Sequence, residues 1–141
     1  ELTGLPNRRK LIAALSEFSK VEGALMLLDL DGFKQVNDRS GHRAGDQVLI
    51  QVAARFARVL PAGALLARLG GDEFGVLLAG SKIATQEIAQ ALQACVSYPF
   101  LIEGEKISVG VSIGRVDSSE GGDLLAKADA AMYRVKRSIN S

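Results

Sequence analysis

A glycine pair set between two short apolar runs constrains this chain more than any other feature. Leu65, Leu66 and Leu69 precede Gly70-Gly71, and Phe74, Val76, Leu77 and Leu78 follow it. Runs of that length around a turn signal predict two antiparallel strands joined by a tight connection. Paired glycines take φ > 0 without steric cost and let a ligand approach the backbone closely. The next residues, Asp72 and Glu73, put carboxylate oxygens at the turn, a donor type that suits hard cations. Taken alone, Gly-Gly-Asp reads first as an ordinary turn, because Gly and Asp are common turn formers.

The remaining chain alternates helical and extended patterns. Leu11, Ile12, Leu15 and Phe18 recur at helical spacing after Pro6-Asn7 and predict an opening helix. Ala24 to Leu28 is an unbroken apolar run closed by Asp29-Leu30-Asp31-Gly32, as expected of a strand buried on both faces that ends in a loop. Its carboxyl end is where open sheets place their chemistry. A short helix is expected from Phe33 to Arg39, broken at Ser40-Gly41, and a longer amphipathic one from Asp46 to Leu60, stopped by Pro61 and Gly63. After the Gly70-Gly71 hairpin, Ile88, Ala91, Leu92, Cys95 and Val96 mark another helix. Ile107, Val109, Val111 and Ile113 then alternate with Ser108, Gly110, Ser112 and Gly114, predicting one strand with a crowded face and a face of small residues. Glu103-Gly104-Glu105 before it reads as the turn of a second hairpin, and Leu124, Leu125, Ala128, Met132 and Val135 trace a closing helix. Interleaved helices and hairpins predict an α/β fold with a mixed central β-sheet flanked by helices.

Composition narrows the function. A chain of 141 residues, 48% hydrophobic, is of a size for one domain, so residues 1–141 are expected to form a single one. A net charge of +1 with interspersed signs gives no nucleic-acid face. No apolar run approaches membrane-spanning length. The single cysteine, Cys95, excludes an internal disulfide and fits a reducing, cytoplasmic setting.

Three acidic clusters stand at predicted element ends: Asp29 with Asp31, Asp46 after Gly45, and Asp72 with Glu73. If the buried strand lies beside the hairpin, Asp29 and Asp72 meet at one rim of the sheet. Such a pair suits magnesium, which takes oxygen ligands at ~2.0–2.1 Å and leaves places for substrate phosphates. That arrangement points to phosphoryl transfer, for which the backbone amides of Gly32 and Phe33 would cradle phosphate oxygens and Lys34 and Lys136 would supply positive charge.

At this point the residues carry a family likeness. Leu2-Thr3-Gly4-Leu5-Pro6-Asn7-Arg8-Arg9, Asp29-Leu30-Asp31-Gly32-Phe33-Lys34-Gln35-Val36-Asn37-Asp38, Gly41-His42-Arg43-Ala44-Gly45-Asp46, Arg68-Leu69-Gly70-Gly71-Asp72-Glu73-Phe74, Val111-Ser112-Ile113-Gly114 and Ala128-Asp129-Ala130-Ala131-Met132-Tyr133 occur in the order of a GGDEF domain, which the chain resembles over nearly its whole length. The resemblance implies a core similar to nucleotidyl cyclases and polymerase palms, condensing two GTP into cyclic di-GMP and two pyrophosphates. By the family pattern, Asp29, the Leu30 carbonyl and Asp72 would hold Mg2+ (or Mn2+). Asp72 and Glu73 would be catalytic, Glu73 helping to activate the attacking 3′-hydroxyl. Asn37 and Asp46 would read the guanine edge, while Gly32, Phe33, Lys34, Gly71 and Lys136 would engage the rest of the nucleotide.

The same resemblance implies a homodimer, because each site holds one GTP. It also implies an upstream sensory domain and an excised fragment of a longer, cytoplasmic or membrane-anchored, multidomain protein. Two departures stand out. Pro61 and Ala64 occupy the positions of the family's inhibitory Arg-x-x-Asp pair, so feedback through that site is expected to be absent, and Asn140 stands where a phosphate-contacting arginine is common, with Arg137 nearby. Two further readings remain beside an active cyclase: a GTP-binding regulatory domain fused to a downstream EAL-type phosphodiesterase, and a nucleotide cyclase acting on ATP.

Overall fold

The computed structural model describes residues 2–140, with side chains to Ser138. Its elements run α1 (Arg8–Phe18), β1 (Gly23–Asp31), α2 (Phe33–Ser40), α3 (His42–Val59), β2 (Leu65–Gly70), β3 (Glu73–Ala79), α4 (Lys82–Cys95), β4 (Phe100–Ile102), β5 (Glu105–Ile107), β6 (Gly110–Asp117) and α5 (Leu124–Asn140), with one 3-10 turn at Ser118–Glu120. Asn7 and Ser81 cap α1 and α4 by accepting from the amides of Lys10 and Ala84, which satisfies donors that have no partner inside a helix.

The central sheet has the order β2-β3-β1-β6, and all three pairings are antiparallel. The α/β class with a helix-flanked sheet therefore holds, while the mixed sheet becomes a wholly antiparallel one. The cause is topological. Strands β1 and β2, joined through α2 and α3, do run in the same direction, but β3 lies between them; β3 and β6, joined through α4, are likewise separated by β1. This is the split βαβ arrangement, in which a crossover skips one place and parallel strands never become hydrogen-bonded neighbours.

Strand β1 is buried from both sides, as its unbroken apolar run predicts. Met26, Leu28 and Leu30 join Phe74, Val76 and Leu78 against α3 and α4, around Val48, Val52, Phe56 and Leu92. Leu25 and Leu27 join Ala67, Leu77 and Val116 against α1 and α5, around Leu11, Leu124, Ala128 and Met132. Strand parity then dictates that Asp29 and Asp31, in register with Leu25 and Leu27, stand on the α1/α5 side.

Two boundaries differ from those the sequence predicts. Helix α3 starts at His42, a turn before Asp46, because Gly41, at φ 89, ends α2 and lets the next helix begin at once. The expected single strand from Ile107 to Ile113 is split after Ile107: β5 pairs with β4 in a separate two-stranded hairpin, whereas β6 pairs with β1. The turn of that hairpin uses positive φ at Glu103 (49) and Gly104 (84), matching the right-handed twist of its strands. The small face predicted for β6 is occupied by α5. A methyl group on Gly114 would lie 2.5 Å from the Ala128 carbonyl oxygen and 2.7 Å from Met132 Cα, so helix backbone sits directly on the strand. Among the described residues no helix is long and apolar enough to cross a membrane.

Candidate active site

The β2–β3 turn and the end of β1 form one rim of the sheet. Asp29 is opposite Glu73 in the β1/β3 register, and the Leu30 amide donates to the Asp72 carbonyl at 3.2 Å. Gly70 and Gly71, at φ 146 and 50, make the turn, which Arg68 clamps by donating from Nε (3.1 Å) and from its terminal nitrogen (2.9 Å) to the Gly71 carbonyl. The convergence expected of Asp29 and Asp72 is therefore present, made by strand pairing rather than by proximity in sequence.

Electrostatics at this rim are strained in one direction. Burial pushes the Asp29 carboxyl up from 3.8 to about 6, the Asp72 charge adds to the shift, and Lys136 opposes it. Asp29 Oδ1 is buried and without a hydrogen-bond partner among the described residues. Glu73 is raised as well, first by burial and then by Asp129, with Arg8 opposing. A buried carboxylate with an unused oxygen beside a second carboxylate is stabilised by an added cation. Among the described residues no three His, Cys, Asp or Glu side chains form a metal cluster by themselves. A divalent ion here would combine Asp29 and Asp72 with the Leu30 carbonyl and draw further oxygens from a ligand, a donor set that fits magnesium.

The third participant comes from α5. Lys136 Nζ lies 2.6 Å from Asp31 Oδ1, 3.4 Å from the Leu30 carbonyl oxygen and 3.7 Å from Asp29 Oδ2. Buried Ser112 on β6 reaches the same carboxylate, its Oγ 2.8 and 2.9 Å from the two Asp31 oxygens. In the sequence Asp31 stands out only as a neighbour of Asp29, and Ser112 only as part of a family motif. The available signal was periodicity: residues 29 and 31 share one face of a strand, and Ser112 falls on the small-residue face that meets α5.

A second locus lies between α2 and α3. Gly32, at φ 85, is the N-cap of α2 and has no side chain to cap the backbone amides of that first turn; Phe33 is buried behind it. Asn37 of α2 packs against Gly45 of α3, and its Oδ1 is the other buried polar atom without a partner among the described residues. Asp46, Lys34 and Gly71 are exposed. The sequence-predicted residues thus fall into two groups, Asp29, Leu30, Asp72, Glu73 and Lys136 at the rim, and Gly32, Phe33, Lys34, Asn37 and Asp46 on the two helices that follow. An open groove of about 300 Å3 on the flank of α2 that faces β5, lined by Gln35, Arg39, Ser40, Glu105 and Lys106, includes only Gly32 of these residues.

The departures are visible too. Pro61 and Ala64 form the tight turn between α3 and β2, with the Ala64 amide donating to the Pro61 carbonyl at 3.2 Å, and neither offers a charged side chain. The Asn140 side chain lies outside the described residues; Arg137 stacks its guanidinium 5.7 Å from the Tyr133 ring centroid.

An antiparallel split βαβ sheet carrying acidic residues at its hairpin rim is a fold of the palm-like cyclase class. More particularly, the chain belongs to the GGDEF family: the family model described as "Diguanylate cyclase, GGDEF domain" matches residues 1–141. It is 39% identical to the diguanylate cyclase DgcP of Pseudomonas aeruginosa over 96% of this chain and 22% of that protein. It is 38% identical to the bifunctional diguanylate cyclase/cyclic di-GMP phosphodiesterase MucR of the same organism, over 96% of this chain and 21% of MucR. Among solved structures, the GGDEF domain of TpbB from P. aeruginosa superposes with a TM-score of 0.91 at 38% identity, covering 96% of this chain and 92% of that one. The chain spans about a fifth of the length of the two curated relatives.

Proposed function

We propose that this domain is the catalytic module of a diguanylate cyclase, joining two GTP into cyclic di-GMP with release of two pyrophosphates. The observation that carries the reading is the meeting of Asp29 and Asp72 at one rim, with the Asp29 Oδ1 oxygen buried and without a partner among the described residues. In this reading Asp29, Asp72 and the Leu30 carbonyl hold Mg2+ or Mn2+. Bound there, the ion would offset charge on the triphosphate and on the attacking oxygen. Glu73, its carboxyl raised by burial, accepts the proton of the 3′-hydroxyl as the oxygen bonds to the α-phosphorus of the facing nucleotide and pyrophosphate leaves.

The remaining roles follow from chemistry at each position. Backbone amides of Gly32 and Phe33, with Gly71 at the turn, approach phosphate oxygens closely; Lys34 and Lys136 supply positive charge. An amide at Asn37 and a carboxylate at Asp46 complement a base that carries a carbonyl, a ring N–H and an amino group, which is guanine and not adenine. Because one domain holds one GTP, synthesis needs two domains facing each other, so a homodimer held by an upstream sensory segment is part of the mechanism, and forced proximity is its main contribution.

A domain dimerised through a fused coiled coil, given GTP and magnesium, is expected to make cyclic di-GMP, and Asp72→Ala to abolish synthesis with the fold retained. GTP binding without product under enforced dimerisation would favour the second reading, a regulatory GTP-binding domain coupled to an EAL-type phosphodiesterase. The similarity to a bifunctional relative, and the Lys136 ammonium resting against the proposed cation ligands, are what support that alternative.

A further inference from the structure

We infer that Gly45 sets guanine selectivity by leaving room for the Asn37 carboxamide; the inference rests on the guanine-reading role given to Asn37 and Asp46 above. Gly45 is buried in the first turn of α3, directly before Asp46. A methyl group there would overlap Asn37 Oδ1, lie 3.0 Å from its Cγ and 3.3 Å from Phe33 Cζ. The atom in the way is the free end of a flexible side chain, not backbone, and the helical site itself favours alanine over glycine. A β-carbon at 45 therefore leaves α3 intact and turns the carboxamide out of its place.

The Asn37 oxygen has a reason to be there. It is buried and unpartnered among the described residues, an arrangement that is unfavourable until a donor arrives. The exocyclic amino group and ring N–H of guanine are such donors, and adenine offers no equivalent pair at that edge. With Asp46 on the next residue of the same helix, Gly45 lets α2 and α3 approach closely enough for both groups to address one base edge. Gly45 acts only through Asn37, as a positioning residue, and its effect is confined to the base.

The test measures equilibrium binding of the α,β-methylene analogues of GTP, ITP and ATP to the whole domain, for wild type, Gly45→Ala, Asn37→Ala and the double variant. Inosine lacks the amino group. Gly45→Ala is expected to lower the preference for the guanosine over the inosine compound by about tenfold, the scale of one lost hydrogen bond, with affinity for the adenosine compound unchanged. In the Asn37→Ala background it is expected to have no further effect. Equal losses for all three nucleotides, an undiminished effect without Asn37, or a Gly45→Ala chain that fails to fold by circular dichroism would each overturn the inference. A wild-type domain with no preference for guanosine would instead remove the guanine reading itself.

Discussion

Lys136 Nζ sits 2.6 Å from Asp31 Oδ1, the shorter of the two ion pairs that tie the last helix to the end of the first strand. Both side chains are about one quarter exposed, which makes the pair less screened than a surface one. Ser112 donates across both oxygens of the same carboxylate, and the three together keep a positive charge next to the Leu30 carbonyl and Asp29. On the function proposed above, that ammonium is the group that would meet a triphosphate.

Asp31→Asn is expected to weaken GTP binding about tenfold, within the range for losing a charge-assisted hydrogen bond, with a smaller effect on kcat. Ser112→Ala should weaken it severalfold. Combined with Lys136→Ala, Asp31→Asn should add little, because both changes remove the same placed charge. Titration calorimetry on the four variants checks this; additive losses would show that Asp31 does something other than seat Lys136.

Asp29 is expected to cost stability for the sake of its site. Its folded value of about 6 lies above the ordinary 3.8, so between those values the folded chain binds more protons than the unfolded one, and stability falls as pH rises through that window. In metal-free protein, Asp29→Asn should raise Tm by several degrees at pH 7.5, about 1–2 kcal/mol after allowance for partial exposure. The gain should shrink towards pH 4 and be accompanied by loss of cyclic di-GMP synthesis. A thermal melt series over pH gives the answer, and a gain that grows on acidification would contradict the sign.

Gly114→Ala should be severely destabilising, by about 3 kcal/mol or more. The obstructing atoms are the backbone of α5 at Ala128 and Met132, which cannot rotate away. Urea denaturation measures the loss. The same variant should bind GTP more weakly than its stability loss alone implies, because lifting α5 off β6 also lifts Lys136.

Arg55 staples the exit of α4. It donates to the carbonyls of Cys95 (2.9 Å), Tyr98 (2.7 Å) and Pro99 (3.0 Å) and lies 3.7 Å over the Phe100 ring. Arg55→Ala should cost roughly 2–3 kcal/mol in chemical denaturation without altering nucleotide affinity. Arg55→Lys should not restore the loss, since an ammonium cannot span three carbonyls and stack at once.

Apart from the split of the strand expected from Ile107 to Ile113, the order of strands and helices was legible from residues alone, as were the two-sided burial of β1, the Gly70-Gly71 hairpin and the family membership, because periodicity, turn chemistry and motif order are local properties of a chain. The motif also named Asp29, Asp72 and Glu73 before any coordinate did. Three things were decided only by tertiary structure. Which strands pair was one: β3 inserted between β1 and β2, and β1 between β3 and β6, turned an expected mixed sheet into an antiparallel one, since hydrogen-bonded neighbours depend on how crossovers pack and not on the order of elements. The second was the Asp31–Ser112–Lys136 contact, which joins residues 105 and 81 positions apart through the register of β6 and the close seat of α5 on Gly114. The third was the raised carboxyl of Asp29: an aspartate's charge state depends on what surrounds it, and only folding buries it beside Asp72.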